Sequence, residues 1–178
     1  MSANELTGKV LIVMGSDSDF EVMRECAKGL QSFGIPFDMK VCSAHRTPDD
    51  AHELSTKARE SGVKVIVAAA GLAAHLGGVM AAGTTLPVIG VPLQGGALHG
   101  VDSLYATVMM PGGIPVATMA VGKPGAKNAA IFAAQILSLS DDDLAARLVE
   151  FKKNMVTEVH GKNHALQDRL AQYLEESR

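Results

Sequence analysis

Apolar residues in this chain come in short blocks that end abruptly at small polar ones. Val10-Leu11-Ile12-Val13-Met14 is an unbroken apolar run closed by Gly15-Ser16-Asp17-Ser18-Asp19, the pattern of a buried strand meeting a tight turn. Behind it, Phe20, Met23, Ala27, Leu30 and Phe33 recur at helical spacing with charges between them, which predicts an amphipathic helix with those five residues inward. Phe37 to Cys42 alternates as a second strand. Thr47-Pro48 fits an N-cap with proline at the first helical position, opening a helix to about Ser61 with Ala51, Leu54 and Ala58 inward. Val63 to Ala69 reads as a third strand, Gly71 to Gly83 as a loop and a short helix of small residues, and Leu86 to Val91 as a fourth strand. A helix over Val101 to Met109, a fifth strand over Val116 to Val121 and an alanine-rich helix over Ala126 to Leu139 follow.

Strands alternating with helices at this spacing predict an α/β fold, a Rossmann-like parallel sheet covered on both faces. Ser140-Asp141-Asp142-Asp143 then supplies a cap and first-turn acids for a long C-terminal helix. Its stripe of Leu144, Leu148, Phe151, Met155 and Val159 resumes at Leu166, Leu170 and Tyr173, and Gly161 marks a place for a bend. The expectation is one α/β domain over residues 1–178, with 140–178 as a helical extension used in packing against another subunit.

Composition narrows the classes. A chain of 178 residues suits one domain, and a net charge of −3 without a basic stripe gives no reason to expect a nucleic-acid partner. Between Val65 and Gly122 the one Asp, Glu, Lys or Arg is Asp102. Glycines and prolines break that uncharged stretch into pieces too short to cross a membrane, so it reads as a buried centre. Met1 to Thr7 lacks the basic and apolar regions of a signal peptide. Cys26 and Cys42 read as small core residues of a reduced, cytoplasmic protein.

Ligands in such sheets bind beyond the carboxyl ends of the strands, a rim that takes in Gly15–Asp19, Ser43–Arg46 and Ala70–Leu76. A helix start behind Gly15 would offer backbone N–H groups to an anion, with the hydroxyls of Ser16 and Ser18 beside it. One of Asp17 and Asp19 either caps the helix or accepts from sugar hydroxyls; the local sequence leaves both open. His45, between Ala44 and Arg46, is the candidate acid and base, and Arg46 can hold a phosphate. His75 reads as a satisfied core histidine or a group touching substrate. His160 and His164 share a helix face but lack the glutamate of a zinc motif, and no G-x-S-x-G elbow surrounds Ser16, Ser18 or Ser43. No metal is expected.

Taken together, Met14-Gly15-Ser16-Asp17-Ser18-Asp19, Ser43-Ala44-His45-Arg46-Thr47-Pro48, Ala73-Ala74-His75-Leu76, Leu86-Pro87-Val88-Ile89-Gly90-Val91-Pro92, Met110-Pro111-Gly112-Gly113-Ile114-Pro115-Val116 and Gly125-Ala126-Lys127-Asn128-Ala129-Ala130 resemble the N5-carboxyaminoimidazole ribonucleotide mutase branch of the AIR carboxylase family, over nearly the whole chain. The resemblance implies a three-layer flavodoxin-like fold, a homo-octamer whose C-terminal helices reach across subunits, and no cofactor. It implies a purine-pathway isomerase that moves a carboxyl group from the exocyclic nitrogen of an aminoimidazole ribonucleotide to the ring carbon. His45 matches the proton-transfer histidine, and Ser16, Asp19 and Arg46 match nucleotide-binding positions. Ser18, Ser43, Ala70, Gly71, His75 and Leu76 complete the expected substrate site. The chain departs from the family pattern at Leu72, where a second glycine is usual, at Gly77, where proline is usual, and at Met109, where glutamine often stands. The alternatives are a branch that carboxylates aminoimidazole ribonucleotide directly with CO2, a non-catalytic nucleotide-binding domain on the same fold, and a phosphosugar isomerase.

Overall fold

The structure is a computed structural model that describes residues 6–177; the reading of the N-terminus as lacking a leader lies, for residues 1–5, outside the described residues. The chain divides between Leu137 and Ser138 into two compact units. In the first, five parallel strands, β1 (Val10–Met14), β2 (Phe37–Val41), β3 (Val65–Gly71), β4 (Val88–Leu93) and β5 (Ala117–Thr118), lie in the order β2-β1-β3-β4-β5. Between them run α1 (Phe20–Ser32), α2 (Pro48–Lys57), α3 (Leu76–Gly83) and α4 (Val101–Val108), with α5 (Lys123–Ser138) after β5. This is the flavodoxin-like order. Right-handed crossovers leaving β1 for β2 and later progressing toward β5 must place α1 on one face and α2, α3 and α4 on the other.

Side-chain alternation along the strands follows those two faces. Leu11 and Val13 of β1 and Ile66 and Ala68 of β3 join Ala51, Leu54 and Ala58 and α3's Leu76, Met80 and Ala81 in one buried cluster. On the other face α1 and α5 come so close that a β-carbon on Gly29 would stand 2.6 Å from the Ala130 β-carbon. Burying every residue of β1 and β4 explains why those segments read as nearly continuous apolar runs. Cys26 and Cys42 are buried free thiols, and burial pushes the Cys26 thiol up to about 12.

Several expected boundaries move. Helical hydrogen bonding in α2 ends at Lys57, and 58–62 continue as turns closed by Gly62 N–H to the Arg59 carbonyl and Val63 N–H to the Ala58 carbonyl, both 3.1 Å. The apolar spacing persists through those turns, which is why the helix read as longer. β5 keeps two residues, yet Met119 and Gly122 still donate to the Gly90 and Pro92 carbonyls of β4. Phe20, at the first position of α1, is half exposed because the buried stripe runs through Met23, Cys26 and Leu30.

The second unit carries α6 (Asp142–Glu176), 35 residues long and helical through Gly161. Its cap is Asp141, whose carboxylate accepts from Leu144 N–H at 2.9 Å, one residue later than Ser140. Leu144 is buried, whereas Met155, Val159, Leu166, Leu170 and Tyr173 are exposed. No helix among the described residues is long and apolar enough to cross a membrane.

Candidate active site

Four loops leave the carboxyl ends of β1 to β4 and line an open cleft of about 500 Å³. It sits at the point where crossovers from β1 and β3 diverge, the position at which open parallel sheets bind ligands.

The loop after β1 begins with Gly15 N–H still bonded to the Ala69 carbonyl at 3.2 Å. Residues Asp17–Asp19 then form one 3-10 turn before α1 starts, so the expected helix start directly behind Gly15 is a tighter turn. A reciprocal capping box closes it: Ser18 N–H donates to Ser16 Oγ at 3.4 Å and Ser16 N–H to Asp19 Oδ2 at 3.2 Å. Ser18 Oγ bonds Ser16 Oγ at 2.9 Å, which points two hydroxyls into one place. Asp19 is therefore a cap for this turn and a cavity-lining carboxylate together. Burial raises its carboxyl above the ordinary carboxylate value, the Ser16 N–H pulls it down, and the charge of Asp17 raises it further. Asp17 itself is exposed and stands outside the cavity lining.

After β2, Thr47 folds the turn. Its Oγ1 accepts from Ser43 N–H at 3.0 Å and donates to the Ser43 carbonyl at 3.1 Å; it makes no cap bond to α2. The hydroxyl is consumed across four residues, so Pro48 begins the helix without the expected side-chain cap. Arg46 reaches back to the neighbouring loop, with Nη2 on the Gly15 carbonyl at 3.0 Å and Nε on Ser43 Oγ at 3.4 Å. Those bonds use part of the guanidinium fork and leave its other N–H donors for an anion.

Ala70, Gly71, Leu72, Ala73, His75 and Leu76 line the cavity from the loop after β3, and Gln94 and Gly95 from the loop after β4. His75 is not a core residue. Its ring is exposed to the cavity, and its Nδ1 lies 2.9 Å from His45 Nε2, the rings meeting edge to face at 83°. Such a contact needs one nitrogen as donor and the other as acceptor.

The cavity gathers all ten residues expected from sequence: His45, Ser16, Asp19, Arg46, Ser18, Ser43, Ala70, Gly71, His75 and Leu76. It adds Gly15, Ala44, Leu72, Ala73, Gln94 and Gly95. The last two were signalled, since Gln94-Gly95-Gly96 follows a strand's carboxyl end like the other three loops. Among the described residues no group of three or more His, Cys, Asp or Glu side chains could hold a metal ion.

Residues 9–158 match the family model described as AIR carboxylase. The chain is 57% identical over 143 residues to the N5-carboxyaminoimidazole ribonucleotide mutase of Bacillus subtilis, covering 80% of this chain and 88% of that protein. It is 50% identical over 159 residues to the protein of the same name from Escherichia coli K12, covering 89% and 94%. The crystal structure of Treponema denticola PurE superimposes with a TM-score of 0.78 at 27% identity, over 85% of this chain and 94% of that one.

Proposed function

The chain belongs to the AIR carboxylase family, and on that premise we infer that it is an N5-carboxyaminoimidazole ribonucleotide mutase, an isomerase of purine biosynthesis that yields 4-carboxy-5-aminoimidazole ribonucleotide. The observation that carries the chemistry is the 2.9 Å contact between His45 and His75 on the wall of a cavity whose nearest loop, 70–76, has no charged side chain.

In this reading the carbamate C–N bond breaks, its electron pair stays on the exocyclic nitrogen, and His45 supplies the proton that nitrogen takes up. CO2 stays beside the aminoimidazole so formed. The ring carbon attacks it, forming the C–C bond, and His45 removes the proton from that carbon to restore aromaticity. One proton is given and one taken, so the histidine is regenerated, acting as acid in one half and base in the other. Arg46 with Ser16, Ser18 and Ser43 takes the phosphate, and Asp19 accepts from ribose hydroxyls. Ala70, Gly71, His75 and Leu76 bound the carboxyl pocket, where exclusion of water favours loss of the carbamate carboxylate and holds CO2 for recapture. No cofactor or metal enters these steps.

We assign residues 140–178 to subunit packing in a homo-octamer, a reading supported by the exposed apolar residues of α6, and the cytoplasm as the working compartment, supported by two buried unpaired thiols. The decisive assay offers purified protein either N5-carboxyaminoimidazole ribonucleotide, or aminoimidazole ribonucleotide with excess bicarbonate, and follows ring-carboxylated product. Rapid turnover of the first alone is expected. Turnover of the second without use of the first would make this a direct carboxylase and tie Leu72, Gly77 and Met109 to donor choice.

A further inference from the structure

We propose that Leu72 is a positioning residue, a strained clasp that holds the loop after β3 against the loop after β4 and keeps that part of the cavity wall beside the reacting carboxyl group. The proposal rests on the mutase reading, whose chemistry gives the wall its purpose.

Among the described residues, Leu72 and His99 are the non-glycine residues with positive φ, at 54° and 50°. They stand on the two loops that meet at the cavity. A leucine pays for the left-handed conformation with a clash between its β-carbon and the backbone, and it has no polar side chain to bond locally in return. Such an outlier persists where surrounding structure holds it. Here the holding contact is visible. A β-carbon on Gly96 would come 2.7 Å from Leu72 Cδ2, and one on Gly95 would come 3.6 Å from Leu72 Cγ. The isobutyl group, 56% exposed on its outer side, therefore lies with its inner side on the backbone of 95 and 96, and the φ of +61° at 96 favours the glycine that leaves it room.

That contact reaches the chemistry through a short path. Ala74 N–H bonds the Leu72 carbonyl at 2.9 Å and His75 N–H the Ala73 carbonyl at 2.8 Å, two tight consecutive turns that leave little slack between Leu72 and His75. His75 in turn meets His45 at 2.9 Å. Leu72, Gln94 and Gly95 also form one continuous part of the cavity wall. Releasing the clasp frees the wall and the histidine pair together, so CO2 should escape before recapture while binding of the distant phosphate is spared.

The test uses N5-carboxyaminoimidazole ribonucleotide labelled with carbon-13 in its carboxylate, turned over in unlabelled bicarbonate. Label retained in the product and aminoimidazole ribonucleotide released are measured for wild type, Leu72→Ala, Leu72→Gly and Leu72→Met. Wild type should retain nearly all label. Leu72→Ala and Leu72→Gly should leak several-fold more with KM little changed, and Leu72→Met should restore retention. Gly96→Ala should leak as well, since its β-carbon would meet Leu72 Cδ2 at 2.7 Å and stand at φ +61°. Retention equal to wild type in folded Leu72→Ala and Leu72→Gly overturns the clasp. Hydrogen exchange of residues 72–76 and 94–97 gives a readout independent of substrate: Leu72→Ala should speed both loops about tenfold, and unchanged exchange also overturns the proposal. Failure of wild type to use the substrate, with both loops still loosened, would sink the mutase reading and leave the clasp standing.

Discussion

The two ends of one sheet are built by different rules. At the end where helices return to strands, the chain obeys backbone preference. α1 closes with Gly34 N–H to the Gln31 carbonyl and Ile35 N–H to the Leu30 carbonyl, both 2.9 Å, and the turns after α2 close in the same pattern at Gly62. The left-handed positions there, Gly34, Gly62 and Gly113, are all glycine, at φ 67°, 92° and 97°. At the opposite end, the left-handed positions include a leucine and a histidine, and two histidines, His45 and His75, meet across loops at 2.9 Å. The first end can be understood from stability alone. The second tolerates conformational cost, and that is where the cavity lies.

If this contrast is right, substitutions at the two ends should separate activity from stability. The largest effect belongs to His45→Asn, which keeps size and a hydrogen-bonding group near His75 but cannot carry the proton. Turnover should fall by about 10²- to 10⁴-fold with substrate affinity and Tm near wild type. A large loss of Tm would mean that the histidine pair is a structural tie, and the contrast between the ends would break.

Gly62→Ala probes the other end. A β-carbon at 62 meets nothing within 4 Å, so its cost is purely the φ of +92°. Stability should drop by about 1–2 kcal/mol in urea unfolding, with kcat and KM unchanged. A kinetic change would show that the two ends are coupled through the sheet.

Much of this was legible in the chain. The five-residue run before Gly15, the proline after Thr47 and the uncharged stretch from Val65 each correspond to one strong local signal, and the rim rule for parallel sheets then joined His45, Arg46 and Gly71. What was missed depends on where side chains find partners. Thr47 looks like a cap by type and position, but its hydroxyl is captured by Ser43. His75 is expected in the substrate site from the resemblance, while its apolar stretch alone leaves a core position open; it faces the cavity one residue before α3 begins. Leu72 fits any apolar pattern; nothing in periodicity shows that its backbone is left-handed.

The smallest effect sharpens the comparison most, because it asks whether a rim residue that looks structural is so. Asp19 closes the capping box and lines the cavity. Burial holds its carboxyl above the ordinary 3.8, so the folded state binds that proton more tightly than the unfolded chain does. Its stability contribution is therefore fully present below about the unfolded value and is lost as pH rises through the folded one. Near neutral pH the ionised side chain is a net cost to folding, and Asp19→Asn removes it while an amide oxygen still accepts from Ser16. The variant should melt at or slightly above wild type at pH 7, with the difference shrinking toward pH 3.5, and should bind substrate more weakly. Thermal melts across that range, paired with KM, check both halves. An Asp19→Asn variant that melts well below wild type at pH 7 would show the carboxylate to be a stabilising cap, and would place at least this residue of the rim under the same rules as the glycine-closed end.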